Sequence, residues 1–200
     1  KKKFDLRIYV LIMGIDPVLG FLCDEGLARF CTKNYTKATP ANFNEFYMHL
    51  TNYSLNKMSD GFIYSEETTE KHDGTKRTLN SLWKSLIEAG ITEPMIMDKV
   101  ENLVNKFLHA TLPYLLYHYR TAFQGKTTAK CFQIIGFDIM FDDKLNPYLL
   151  EINNNPSLSV DHEFDDAQGN FFCEESPIDV FIKRQVVEDA MLLAVNRNLQ

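Results

Sequence analysis

The chain has 200 residues, is 45% hydrophobic and carries a net charge of −6. This apolar content can bury a substantial core in one domain or two, and no apolar run reaches the length of a membrane span. With no basic stripe beyond Lys1 to Lys3, bulk electrostatics exclude nucleic-acid binding, and an acidic partner would require a local positive pocket or a basic segment elsewhere.

Phe4 to Met13 alternates and is rich in β-formers, so a strand is expected there, ended by Gly14 and Asp16-Pro17. Its apolar parity is Phe4, Leu6, Ile8 and Val10. The other parity presents Lys3, Asp5, Arg7 and Tyr9, and half-burial of a sheet does not explain three successive charges. A second strand at Gly20 to Cys23, a turn at Asp24-Glu25-Gly26 and a third strand at Leu27 to Cys31 complete a meander. The chain opens directly on a strand without Met, as a fragment of a longer protein would. Cys23, Cys31, Cys131 and Cys173 show no paired spacing and read as reduced, mostly buried thiols of an intracellular protein.

Thr32 to Asn44 reads as a loop. Phe46 to Lys57 interleaves aromatic residues with Thr51, Asn52, Ser54 and Asn56, a pattern that a short capped helix also explains. Met58 to Arg77 lacks periodicity and reads as a mobile loop. Helical spacing at Leu79, Leu82, Trp83, Leu86 and Ile87 predicts a helix over Thr78 to Ala89 with Gly90 as its stop. A long helix starts at Thr92 with Glu93-Pro94 in its first turn, buries Ile96, Val100, Leu103, Val104 and Phe107, and is expected to kink or end at Pro113. The cluster of Tyr114, Tyr117, His118, Tyr119 and Arg120 reads as core and rim rather than as a site. Gln124 to Lys130 and the acidic Asp161 to Pro177 read as loops. Val180 to Asn198 closes the chain as an amphipathic helix, with Val180, Phe181, Val187, Ala190, Met191 and Ala194 inward. The five histidines show no metal-ligand spacing, so no zinc site is expected.

Gly136 to Ser157 forms two apolar runs joined by a polar turn. If Asp142 pairs with Pro147 across a four-residue loop, Asp138 falls opposite Glu151, and both share a face with Asn153. Ile135, Phe137, Ile139, Phe141, Tyr148, Leu150 and Ile152 then face a core. Two close carboxylates with an amide oxygen suit magnesium better than zinc. A hairpin with a solvated polar side fits the same alternation.

The segments KFDLRIYV, DEGLARF, MHLTNYSLNK, GFDIMF and LLEINNNPS, in this order, resemble the tubulin-tyrosine-ligase-like family of amino-acid ligases along essentially the whole chain. The resemblance implies an α+β ATP-grasp fold, a mixed and antiparallel sheet flanked by helices, of which residues 1–200 would be the C-terminal portion of the catalytic domain. It also implies a reaction in which ATP phosphorylates a carboxylate and an amino acid's amine attacks the acyl phosphate. By motif, Lys3, Phe4, Asp5, Thr51 and Asn52 match nucleotide-binding positions. Asp138, Glu151 and Asn153 match Mg2+ ligands. Arg7 and Arg29 match arginines facing the phosphoryl group and the incoming amino acid, with Glu151 also catalytic. Tyr53, Ser54 and Lys76 match the amino-acid pocket. These types suit the chemistry, because negative charge gathers on oxygens in the transition state and arginine grips a carboxylate or phosphate bidentately.

Asn154 departs from the family pattern, since many glutamate-adding members have His there. The NPSL wording, DHEF and LTNYSLN resemble a polyglutamylase branch. The expected substrates are therefore free L-glutamate and tubulin C-terminal tails on microtubules, with ATP and Mg2+ and without nucleic acid or a membrane span. The resemblance places such an enzyme in the cytoplasm and cytoskeleton, at the axoneme of a cilium or flagellum and at the basal body. Three alternatives stand beside this reading: a glycine-adding tubulin ligase, an inactive microtubule-binding module, and a ligase for a small metabolite. Without the earlier half of the fold, the chain alone is expected to bind ATP poorly and to be inactive.

Overall fold

The computed structural model describes residues 1–123, 131–165 and 169–197. The chain forms two compact units. Unit one comprises Lys1–Arg7, Glu25–Ile91 and Ser157–Gln185, and unit two Ile8–Asp24, Thr92–Pro156 and Val186–Gln200. The class is α+β with antiparallel strand pairs and helices. The elements in order are β1 (Lys2–Ile15), β2 (Val18–Asn34), α1 (Phe46–His49), α2 (Tyr53–Asn56), β3 (Lys76–Thr78), α3 (Leu79–Ile87), α4 (Glu93–Phe123), β4 (Gln133–Phe141), β5 (Pro147–Asn153), β6 (Asp161–Asp165), β7 (Phe171–Glu175) and α5 (Pro177–Arg197). No helix of the described residues is long and apolar enough to cross a membrane.

In unit one the strand order is β3-β2-β1, and β2 pairs antiparallel with β3 through Leu27 to Thr78, Ala28 to Arg77 and Arg29 to Lys76. The expected turn at Asp24-Glu25-Gly26 does not form, because those residues lie inside the continuous β2. Glu25 and Gly26 have other tasks that mimic turn chemistry in sequence. A Cβ on Gly26 would meet the Arg7 carbonyl oxygen at 2.4 Å, so glycine admits the neighbouring backbone. The Glu25 carboxylate accepts hydrogen bonds from the first amides of α3, Leu79 N at 3.2 Å and Asn80 N at 3.0 Å, where the helix leaves its N–H groups unpaired. The Thr78 hydroxyl caps the same helix by accepting from Ser81 N at 3.0 Å. Leu6, Leu27, Ala28, Leu79, Leu82, Trp83, Ile178 and Ile182 are buried in this unit.

The segment expected as a loop over Asp161 to Pro177 contains the antiparallel pair β6 and β7, with His162 opposite Glu174 and Phe164 opposite Phe172. Interspersed acidic residues conceal the alternation there. The aromatic and polar segment after β2 folds as the one-turn helices α1 and α2. Buried Asn56 ties it to the sheet by accepting from Thr32 N at 3.0 Å and donating to the Leu50 and Asn52 carbonyls at 2.7 and 3.0 Å.

In unit two the order is β2-β1-β4-β5. Helix α4 buries Ile96, Val100, Val104 and Leu108, and Phe107 meets Phe137 edge to face at 5.4 Å. Of the kink or end expected at Pro113, the end does not occur, since the helix runs on to Phe123. Its last turns are tethered instead by the Arg120 guanidinium, which pairs with Asp16 at 2.7 Å, while Tyr114 and Tyr117 are exposed. The expected loop at Gln124 to Lys130 lies outside the described residues. Leu11, Met13 and Ala190 form a buried cluster joined by Ile134, Leu193 and Ala194. The inward face of α5 carries Ile178, Ile182, Val186 and Ala190, and Phe181, Val187 and Met191 are exposed. The expected phase is off because the buried residues recur at i+4 in a helix apolar on more than one side. Among the cysteines, Cys31 is buried and Cys23 half-buried, and burial pushes each thiol up to about 11. Cys131 and Cys173 are exposed, against expectation.

Candidate functional site

Ten of the residues singled out by motif lie in unit one. Alternation along β1 separates the KFD motif: Phe4 stacks on Phe30 at 5.1 Å, while Lys3 and Asp5 project from the other face. The Lys3 ammonium donates to the His49 carbonyl at 2.8 Å, joining this motif to the start of HLTNYS. Asp5 is 1% exposed. Its carboxylate receives both arms of the Arg29 guanidinium, Nε to Oδ1 at 3.0 Å and Nη2 to Oδ2, a bidentate geometry that fixes Arg29. Arg7 is half-buried on β1, with the same parity as Asp5.

Arg29 stands directly across from Lys76 in the β2–β3 ladder. Two cations opposed across antiparallel strands repel, and each is matched by a carboxylate from elsewhere in the unit. Lys76 is buried and paired with Asp179 of α5, with Ser176 Oγ at 3.3 Å. Asp179 also accepts from Lys183 at 2.9 Å, and Lys183 donates to the Ser159 carbonyl. Burial pushes the Lys76 ammonium below its usual value, against the pull of Asp179. For Asp179 burial pushes upward, but Lys76 and Lys183 together hold the carboxyl below the ordinary range. The Lys76 ammonium also sits 4.4 Å above the Tyr53 ring, a cation–π contact. The Tyr53 hydroxyl lies 2.8 Å from His162 Nδ1.

Asp5, Arg29, Tyr53 and Lys76, spread over 72 positions of sequence, are thus linked in one polar network. Thr51 is buried, while Asn52 and Ser54 are exposed. Two members of the network escaped the sequence reading, His162 and Asp179. A signal for Asp179 existed: Ser176-Pro177-Ile178-Asp179 is a helix start, with Pro in the first turn and the acidic residue three after the cap. Asp179 N donates back to Ser176 Oγ at 3.4 Å.

The other four motif residues lie in unit two. Asp138 faces Glu151 across β4 and β5, as the alternation predicts, and Gly136 faces Asn153. The turn differs. Phe141 pairs with Pro147 across a five-residue loop, and a bulge beside Asp138 and Ile139 restores the expected register beyond it. The loop closes on Asp142, which accepts from Lys144 N at 2.9 Å and Asn146 N at 2.8 Å. Because the bulge inverts the parity of the strand next to the turn, Tyr148 and Leu150 are 56% and 51% exposed rather than in the core. Asp138 is buried, Glu151 is exposed, and the Asn153 amide donates to Glu151 at 3.1 Å. Asn154 is exposed, and its carbonyl accepts from Gln133 at 2.6 Å. Among the described residues no group of three or more His, Cys, Asp or Glu is placed to hold a metal ion. Two carboxylates and an amide oxygen nonetheless fit magnesium, which keeps few protein ligands and completes its shell with phosphate and water oxygens.

The sequence as a whole resembles known proteins. The model of the tubulin-tyrosine ligase family matches residues 1–176, and the chain belongs to that family. It is 38% identical over 194 residues to tubulin polyglutamylase TTLL11 of Homo sapiens, covering 96% of this chain and 27% of the relative. It is 41% identical over 164 residues to tubulin polyglutamylase ttll6 of Danio rerio, covering 82% and 20%, and 33% identical over 192 residues to a probable beta-tubulin polyglutamylase of Tetrahymena thermophila, covering 96% and 15%. The chain therefore spans about a quarter or less of the length of these curated relatives.

Proposed function

We propose that residues 1–200 are the later part of an ATP-grasp catalytic domain, and that the full-length protein is an ATP-dependent carboxylate–amine ligase adding glutamate to glutamate side chains of tubulin tails. The observation that carries this reading is the pairing of Asp138 with Glu151, with Asn153 beside them, in a chain of the tubulin-tyrosine ligase family. The relatives named as tubulin polyglutamylases support glutamate and tubulin as the substrates.

In this reading Asp138, Glu151 and Asn153 hold magnesium, which when bound neutralises phosphate oxygens. Lys3, Phe4, Asp5, Thr51 and Asn52 bind the nucleotide. Arg7 and Arg29 stabilise the charge that gathers as a substrate carboxylate is phosphorylated. Arg29, Tyr53, Ser54, Lys76 and Asn154 receive the incoming amino acid, whose carboxylate suits the cationic pair Arg29 and Lys76. The same reading places the protein on microtubules in the cytoplasm, with the cilium or flagellum and the basal body as its sites. The chain alone, a small part of its relatives' length, would bind ATP poorly and not turn over.

Mass spectrometry of tubulin tails incubated with the full-length protein, ATP and either glutamate or glycine tests the proposal. Mass increments of glutamate on tail peptides are the expected result. Glycine increments would shift the specificity, and no increment with retained microtubule binding would make the protein a binding module.

A further inference from the structure

His162 takes no part in the roles assigned above, yet it is the residue against which Tyr53 is set. Its buried ring stacks on Tyr64 at 4.3 Å and 17°, and on Phe164 at 5.3 Å and 25°. Its Nδ1 meets the Tyr53 hydroxyl at 2.8 Å. The imidazole also forms part of the wall of a cavity of about 770 Å³, together with Lys57, Phe62, Tyr64 and Phe164. The Tyr53 ring also meets Phe62 edge to face at 5.7 Å, so packing holds one side of the ring and the hydrogen bond fixes its hydroxyl end.

The direction of that bond follows from the surroundings. Burial first, then Asp179 and Tyr64, raise the Tyr53 phenol above its ordinary value, so it stays protonated and donates. Burial first, then Lys76 and Lys57, lower His162 against the pull of Asp179 and Glu174, so its imidazole is neutral and Nδ1 accepts. The opposite edge of this arrangement is Lys76, whose ammonium rests 4.4 Å from the centre of the Tyr53 ring. A cation–π contact of this kind depends on the ring face staying under the charge.

We infer that His162 is a positioning residue for the amino-acid end of the ligase site: it holds the Tyr53 ring as a fixed platform beneath the Lys76 ammonium. The inference rests on the ligase reading above, in which Tyr53 and Lys76 receive the amino acid. His162 acts only through Tyr53 and does not touch the reacting atoms.

The test uses the full-length protein with ATP, glutamate and tubulin. His162→Phe keeps the stacking and removes the acceptor, Tyr53→Phe removes the donor, and His162→Asn keeps an acceptor close to Nδ1. Each Phe variant is expected to raise KM for the amino acid about 5–10-fold, the size of one lost hydrogen bond, with KM for ATP unchanged. The double variant should be no worse than either single one, and His162→Asn should recover most of the loss. Additive losses, an equal rise in KM for ATP, or an unchanged KM for the amino acid in a protein that ligates would each overturn the inference. A wild-type protein that ligates nothing would sink the ligase reading instead. The positioning bond is then read without turnover from the 15N resonances of the His162 imidazole. Tyr53→Phe is expected to move Nδ1 more than Nε2, and an unmoved Nδ1 overturns the inference.

Discussion

Asp179→Asn is the substitution that most directly tests how the unit-one network is held. The Asp179 carboxylate is the shared acceptor for Lys76 and Lys183, and all three side chains are 10% exposed or less. An amide in its place removes the negative charge and leaves two buried ammoniums facing each other. Removing one partner from a buried, hydrogen-bonded ion pair costs about 3–5 kcal/mol. Amide hydrogen exchange on the full-length protein reads this locally. Protection in β3 and in the first turn of α5 should fall by about 10²- to 4 × 10³-fold, at roughly 1.4 kcal/mol per tenfold. Lys183→Met removes the surplus cation and keeps the Lys76 pair, so its effect should be smaller than that of Asp179→Asn. The pH dependence has a definite sign. The folded Asp179 carboxyl lies below its ordinary 3.8, so its contribution is present above that value and lost as pH falls through the folded one. Asp179→Asn should abolish that acid-side loss. A drop in protection below about tenfold, or a larger effect from Lys183→Met, would refute the reasoning.

Glu151→Gln should reduce ligation by at least about 100-fold, as removal of one transition-state electrostatic contact does, while the far-ultraviolet circular dichroism stays as in the wild type, because Glu151 is exposed. Full turnover by the variant would end the metal assignment. Gly26→Ala should destabilise by about 1–3 kcal/mol, since its Cβ would stand 2.4 Å from the Arg7 carbonyl oxygen on a neighbouring strand that cannot swing aside; urea unfolding measures this. Asn154→His restores the residue that the family resemblance associates with glutamate. It should raise the ratio of glutamate to glycine incorporation about tenfold, the range over which one polar contact discriminates, with competition between the two amino acids as the assay. His162 has its folded value below the ordinary 6.5, so the unfolded chain takes up its proton first and stability should fall as pH drops from 6.5. His162→Asn should flatten that portion of the profile.

Much of the fold is legible wherever one residue type has one explanation. The alternation of β1, the helical spacing of α3, the Gly90 stop at φ +74° and the start of α4 all follow from local chemistry. The misreadings arise where one residue type serves two purposes. Asp24-Glu25-Gly26 has turn composition, but Glu25 caps a helix more than fifty positions away and Gly26 admits a backbone. Pro113 has breaker chemistry, but α4 runs through it to Phe123, with Arg120 of its last turns paired to Asp16. The hairpin reading also contains two compensating departures. The turn is one residue longer than expected, the bulge adds one more, and Asp138 still meets Glu151. In the network around Lys76 the helix start at Ser176 to Asp179 is a local signal, but the pairing of its members is not. His162 lies 109 positions from Tyr53 and Asp179 lies 103 from Lys76, and only folding brings them together.

The charges of that network bear on the kind of molecule the chain can receive. With a net charge of −6, these 200 residues as a whole disfavour an acidic ligand such as a carboxylate-rich peptide or glutamate. Within unit one, Arg29 pairs with Asp5, and Lys76 and Lys183 share Asp179, so three cations are gathered among largely buried groups. In such surroundings a charge is weakly screened and its attraction for a carboxylate is stronger than at the surface. Arg29 opposite Lys76 is a costly arrangement for a sheet that only needs to be stable, because aliphatic partners would remove both the repulsion and the desolvation. A cluster of cations within a negatively charged chain is a condition under which an acidic group is held at one place and repelled elsewhere. The residues of that cluster include Arg29 and Lys76, two of those whose motifs resemble the family's amino-acid pocket.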